Sequence, residues 1–352
     1  MEPVGGGAWG LGVRSTQRVR SFPCLCFLLC LRCGLAAVCL EGGIPQSELK
    51  DVVNADGQSY PIGFWLNDWS AGHLTVEVAR VLIQEKLGYN VELKGPGTLS
   101  IYGFFALTGC TSPTNSSDHG CGPSITYTHI NLEVWTDTYR EIWDEIQAKY
   151  PDMAPKNLGN SGYYGASAMF VPSAVQERAY EAEGSNLDFY RDYNVTWNNP
   201  SRYFTSPADV DVSQLRPCTD TALMLDEVMG NYLSITGDTA GVVVSGAGVT
   251  GQCFQDYFWL APACRQQASS CFLWFTGGTG WGMYEMLVKA TSYNMPLATA
   301  VASNFSNYGK LPLAYDMMLY WWVPDPTFLR LTPRRVVFPE HNPDEWASGN
   351  RK

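Results

Sequence analysis

The sequence predicts an α/β fold in which strands alternate with helices of about three turns. Three stretches carry this reading. Residues 60–93, YPIGFWLNDWSAGHLTVEVARVLIQEKLGYNVEL, read as strand, tight turn, amphipathic helix and second strand. Residues 124–150 read as a strand ending at Trp135 and then a helix over Thr138–Tyr150. Residues 272–302 read as the strand Phe272–Phe275, a glycine turn at Gly277–Gly282, the helix Met283–Ala290 and the strand Ala298–Ala302.

Each element follows from periodicity and punctuation. In the opening unit, Tyr60, Ile62, Phe64 and Leu66 alternate as a mostly buried strand does. Asn67, Asp68 and Ser70 supply turn and N-cap chemistry ahead of an apolar helical pattern at Leu74, Val78, Val81, Leu82 and Leu87. Gly88 ends the helix and Val91 and Leu93 resume alternation. Residues 95–109 are a turn and an apolar stretch whose period fits strand and helix equally. In SITYTHINLEVW, residues 124–135, polar and apolar positions alternate, and Ile142 and Ile146 then share a helix face that Pro151 terminates. Gly159–Pro172 reads as a connecting strand, Ala174–Tyr193 as helix, Thr219–Met229 as a short helix and 240–251 as a buried strand. Asp316–Val323 is a strongly apolar segment, and Arg335–Phe338 a short strand.

At 45% apolar and 16% charged, the composition is that of a globular chain and excludes disorder. A net charge of −11 leaves no basic excess to neutralise phosphates, which excludes nucleic acid as a partner. The N-terminus differs from the rest. Arg14, Arg18 and Arg20 precede the apolar Phe22–Leu31, and small residues follow toward Ala36–Cys39, the pattern of a secretory signal peptide over residues 1–39. Arg32 breaks the apolar run short of a spanning helix, which leaves a retained anchor as the second reading; no other long apolar run occurs, so no membrane span is expected after cleavage. Of eleven cysteines, five precede residue 40, leaving Cys110, Cys121, Cys218, Cys253, Cys264 and Cys271, an even set that suits an oxidising compartment. Cys110 and Cys121 bracket a polar loop that a bridge would close, while pairing among the other four stays open. No C-x-x-C occurs among these six, so no metal site is assigned, and no cofactor is called. The sequons at Asn115, Asn194 and Asn304 permit glycosylation.

Enzyme motifs are thin. Residues 246–251 match G-x-G-x-x-G after three valines, but no amphipathic helix follows and no acidic residue stands about twenty positions on, against a dinucleotide site. Residues 277–282, GGTGWG, lack the lysine of a phosphate loop and read as a turn. The pairs Asp144/Glu145 and Asp226/Glu227 read as solvated helix charges, and no G-x-S-x-G or H-E-x-x-H occurs. The chain is read as non-enzymatic. Its tryptophans say more. Of twelve, Trp69, Trp135, Trp321 and Trp322 fall at strand ends leading into turns, where α/β sheets place ligands. Core packing explains any one of them, but several together suit a cage for a quaternary ammonium group. Backbone N–H groups at Ser70, Ala71 and Gly72, at a helix start, suit an anion, so the two ends of a zwitterion could be held there.

These residues resemble a known family. WSAGHLTVEVARVLIQEKLGYNVE (69–92), INLEVW (130–135), the V-P of Val171–Pro172 and W-V-P-D (322–325) occur in the order found in the substrate-binding domain of glycine betaine/choline-type ABC transporters. The resemblance spans roughly residues 58 to 330. It implies a two-lobed periplasmic-binding-protein-like fold (type II) with a ligand cleft between lobes, and an aromatic cage built from Trp69, Trp135 and Trp322 with Trp321 beside it. Choline-binding members carry an acidic residue where this chain has Ala71, and betaine binders carry His where it has Asp325, whose charge repels a carboxylate. The resemblance therefore leaves the choice of quaternary amine open.

The implied organisation is a signal peptide (1–39), linker (40–57), lobe 1 (58–165), lobe 2 (166–318), return crossing (319–340) and polar tail (341–352). The expected activity is binding of glycine betaine, choline or a similar amine by Trp69, Ser70, Ala71, Gly72, Trp135, Trp321, Trp322 and Asp325, in a secreted or extracytoplasmic protein, with an ABC permease as the partner. A sensing ectodomain of the same fold is the second reading and a secreted hydrolase the third.

Overall fold

The structure, a computed structural model, describes residues 38–345 apart from 116–117, 123–124, 137–138, 247, 326–327, 341 and 343. The expected signal peptide, all but its last two residues, and most of the polar tail lie outside the described residues. A small antiparallel pair, β1 (Val52–Val53) and β2 (Ser59–Tyr60), leads into the opening unit. That unit forms as its periodicity requires: β3 (Ile62–Asn67), α1 (Ser70–Leu82) continuing as a π turn to Leu87, and β4 (Val91–Gly97) parallel to β3. Gly88 closes the helix at φ 77°, a conformation strained for any residue with a Cβ.

Two details of this unit differ from expectation. The N-cap position of α1 is Trp69, and no side chain caps the helix there. The apolar row faces outward: Leu74 is 67% exposed and Val78 54%, whereas Gly72 and Val76 are buried. Leu74, Val78 and Leu82 stand roughly 200° around the helix from Gly72 and Val76. With β3 and β4 the only strands paired in this sheet, the small-residue face packs inward and nothing among the described residues covers the other.

Residues 95–109 resolve into α2 (Ser100–Leu107) after β4. The expected strand over 124–135 does not form: the stretch pairs only at an isolated bridge, Ile130 to Phe64, and then runs as coil. α3 (Arg140–Lys149) buries Ile146 as expected, and Asp144 and Glu145 are exposed.

The rest is organised on a seven-stranded mixed sheet. In chain order the strands and helices are β5 (Ala166–Val171), α4 (Ser173–Glu183), α5 (Asp226–Thr236), β6 (Val242–Ser245), β7 (Gly248–Gly251), β8 (Cys253–Phe254), β9 (Phe258–Leu260), β10 (Phe272–Thr276), α6 (Met283–Ser292), β11 (Leu297–Val301), α7 (Phe305–Ala314), β12 (Met318–Val323), α8 (Phe328–Leu331) and β13 (Arg334–Arg335). The spatial order is β13-β5-β12-β10-β11-β9-β8. β11 and β12 run parallel to β10, and β5 runs antiparallel to β12. Every residue of β10 and β11 is buried, because the sheet is covered on both faces. Phe272 and Trp274 pack with Met286 and Leu287 of α6 and Tyr232 of α5, while Leu273 and Phe275 pack with Tyr308 and Leu311 of α7.

Several expectations are corrected here. Residues 242–251 are a largely exposed hairpin, β6 against β7, and not a buried strand. This removes the strand-turn-helix context a dinucleotide site needs. The helix expected over 174–193 stops at Gly184, where φ is 71°, and the one expected over 219–229 starts as two 3-10 turns and is α-helical only from Asp226, where α5 begins. Three disulfides join Cys110–Cys121, Cys218–Cys253 and Cys264–Cys271, consistent with an oxidising compartment. Among the described residues no helix is long and apolar enough to cross a membrane.

Candidate functional site

The β3–β4 unit meets the seven-stranded sheet at a cluster of tryptophans. Its construction starts with Asn67, fully buried at the end of β3. The Asn67 amide donates to Glu133 O at 2.7 Å and to Asn131 Oδ1 at 3.0 Å, and the Trp65 N–H donates to Ile130 O at 2.8 Å. These bonds tie the coil 130–135 to β3 and turn Glu133 inward. The Trp69 indole then donates to Glu133 Oε1 at 2.8 Å, and the Trp135 indole donates to the same oxygen at 3.4 Å. One carboxylate oxygen thereby fixes the edges of two rings and orients their faces.

The seven-stranded sheet contributes the opposite wall. Gly278, Gly280 and Gly282 all have positive φ, so the loop after β10 turns back sharply, as the GGTGWG sequence requires. It presents Trp281, whose indole donates to Thr98 O at 2.6 Å on the other unit. Trp281 meets Trp69 edge to face at 6.4 Å and Trp322 edge to face at 5.4 Å. Trp322 lies parallel to Trp321 at 5.4 Å, and Trp321 lies parallel to Tyr308 at 4.3 Å. Just past β12, Asp325 is 7% exposed and its Oδ2 accepts the Ser70 hydroxyl at 2.9 Å.

The electrostatics centre on Glu133, 6% exposed. Burial holds its carboxyl above the ordinary range, and the nearby Asp325 charge acts the same way, against the lowering influence of Trp69, Trp135 and Tyr163. Its second oxygen, Oε2, has no hydrogen-bond partner, nor do the indole N–H groups of Trp321 and Trp322. Tryptophan rings held by their N–H edges on a buried carboxylate bring ring faces and a negative charge into one region, which is chemistry for holding a cation. Among the described residues no group of His, Cys, Asp and Glu could hold a metal ion.

No protein-family model matches the chain, and no curated protein does.

All eight residues singled out in the sequence fall in or beside this cluster. Trp69, Trp321 and Trp322 are buried in one core with Trp281, and Trp135 and Ala71 pack against it. Gly72 is buried in the first turn of α1 beneath the Trp69 ring, and Ser70 reaches Asp325. The surface clefts at Tyr190–Asn294 and Gln176–Arg334 share no residue with it. Sequence reasoning missed Glu133, Trp281 and Asn67. The signal for Glu133 was an acid two positions before Trp135 in an otherwise apolar run, and for Trp281 a large ring inside a glycine turn.

Proposed function

We propose that the chain binds a small quaternary amine in this tryptophan cluster, as the substrate-binding component of a transport system with an ABC permease as its partner. The observation that carries the reading is that Trp69 and Trp135 share the inward-turned Glu133 while Trp281 joins Trp69 to Trp322. Desolvated rings each contribute up to about 2 kcal/mol to a trimethylammonium group, enough in sum for micromolar affinity. The sequence likeness to glycine betaine/choline-binding domains supports the same ligand class.

A two-lobed fold that closes on its ligand belongs to the proposal. It is supported by the separation of the β3–β4 sheet from the seven-stranded one, with the tryptophans at their junction. It is also supported by the pairing of β5 with β12, the two segments expected to carry the chain between lobes. In such a fold, opening would part Trp69 from Trp281 and admit the ligand, and closure would restore their contact.

Isothermal titration with choline, glycine betaine and carnitine, on the native protein and on Trp135→Ala, tests the proposal. Binding by the native chain and its loss in the variant are the expected result. A folded native protein that binds none of the three defeats it.

A further inference from the structure

The geometry points to a ligand that is a plain monocation: a quaternary ammonium group on a neutral body, with no carboxylate of its own. This deepens the reading just given and rests on it.

The first observation is at the start of α1. A thirteen-residue helix has unpaired N–H groups and positive potential at its first turn, the natural seat for the anionic end of a zwitterion. In this chain a carboxylate of the protein is already there. Asp325 is buried against that turn with the Ser70 hydroxyl on its Oδ2. A ligand carboxylate brought to the same turn would meet Asp325 in a poorly solvated space, where like charges repel strongly.

The second observation is independent of the helix. Glu133 Oε1 takes the indole N–H of both Trp69 and Trp135, while Oε2, equally buried, accepts from nothing. A buried acceptor without a partner is costly, and a buried anion without a counter-charge more so. A cation seated against the Trp69 and Trp135 rings supplies that counter-charge. The electrostatic influence of Asp325 on Glu133 puts the two carboxylates in one region, so a monocation there supplies the counter-charge of Glu133 without adding a negative group beside Asp325. A zwitterion of zero net charge does not, because its carboxylate adds a third negative group.

The test is isothermal titration of the whole protein near neutral pH with tetramethylammonium, choline and glycine betaine, repeated on Glu133→Gln and Asp325→Asn. Choline and tetramethylammonium are expected to bind, and glycine betaine to bind on the order of 100-fold more weakly. Glu133→Gln is expected to lower choline affinity by a similar factor, and Asp325→Asn to narrow the gap between choline and betaine. Circular dichroism checks that each variant is folded; if Glu133→Gln is not, the ligand ranking on the native chain decides alone. Betaine binding as tightly as choline overturns the inference and leaves the quaternary-amine reading standing. An unchanged choline affinity in folded Glu133→Gln also overturns it. Failure of all three ligands to bind the native protein removes the proposed function and this inference with it.

Discussion

The Trp69 indole and the Glu133 carboxylate, 64 residues apart, meet through a buried hydrogen bond of 2.8 Å. Trp69→Phe keeps an aromatic ring, though a smaller one, and deletes this donor, leaving Oε1 with only the longer bond from Trp135. The expected loss is about 1–3 kcal/mol of unfolding free energy, read by urea denaturation. A loss below about 0.5 kcal/mol would mean that the bond does not hold Glu133 in place.

The proton on Glu133 gives the unliganded protein an unusual pH response. Burial raises its pKa above the ordinary 4.5, so the folded chain binds this proton more tightly than the unfolded chain. Its contribution to stability is therefore full below 4.5 and fades as pH rises through the raised value. A bound cation favours the ionised form, so the melting-temperature increase produced by choline should grow across the same window. Thermal melts with and without choline from acid pH to neutrality check this, and a ligand shift that is flat with pH would exclude Glu133 from the binding equilibrium.

Gly165 lies against the face of Trp135, and a Cβ there would stand 2.4 Å from the ring. Gly165→Ala should push the indole aside while leaving the two cores intact, since the site is on the exposed approach to β5. Choline affinity is expected to fall about tenfold, close to 1.4 kcal/mol, with a melting temperature near that of the native protein. Unchanged affinity would remove Trp135 from the cage.

Asp238 and Arg265 form a bidentate pair at 2.7 and 2.6 Å, with the Tyr232 hydroxyl also on Asp238. Burial tends to raise the Asp238 carboxyl, but the hydrogen bonds from Arg265, Tyr232 and the Gly241 backbone, with the Arg265 charge, together outweigh it and the net position is below the ordinary 3.8. The sign is thus opposite to that of Glu133: the stabilisation is present above 3.8 and lost as pH falls through the folded value. Asp238→Asn leaves a mostly buried guanidinium short of its partner and should cost about 3 kcal/mol in chemical denaturation at neutral pH. A variant as stable as the native chain would show that the pair does not hold α5 to the 260s loop.

The Cys218–Cys253 bridge spans 35 residues and ties the turns before α5 to β8. On the chain-entropy model a ring of this size contributes about 4 kcal/mol. The double variant Cys218→Ala/Cys253→Ala should lose most of that in denaturation under non-reducing conditions. Equal stability with and without the bridge would refute it.

Much of this was legible in the sequence where local chemistry and tertiary packing agree. Strand β3, helix α1 and strand β4 follow from alternation, a helical period and Gly88, and Phe272–Phe275 and Ala298–Ala302 read as strands, though their central place in the sheet did not. The outward turn of Leu74 and Val78 was hidden because periodicity finds an apolar face without saying what covers it. Glu133 was hidden by a similar ambiguity. Alternation in INLEVW suggests a strand with its acid toward solvent, whereas the Asn67 amide pulls the backbone of Glu133 against β3 and carries the side chain inside. Long-range bonds of that kind, like Trp281 to Thr98 across 183 residues, leave no trace in a window of neighbours.

The parallel stack of Tyr308, Trp321 and Trp322, with rings inclined by only 7° and 13°, makes the molecule its own optical instrument. Rings held at fixed spacing in a chiral setting share their excitations and give intense near-ultraviolet circular dichroism. Trp281 stands edge to face against both Trp322 and Tyr308, 5.4 Å from each, so anything that slips between it and Trp322 will alter the dichroic signal. Occupancy of the cage could then be followed in real time, in unlabelled protein, by the colour of its own indoles.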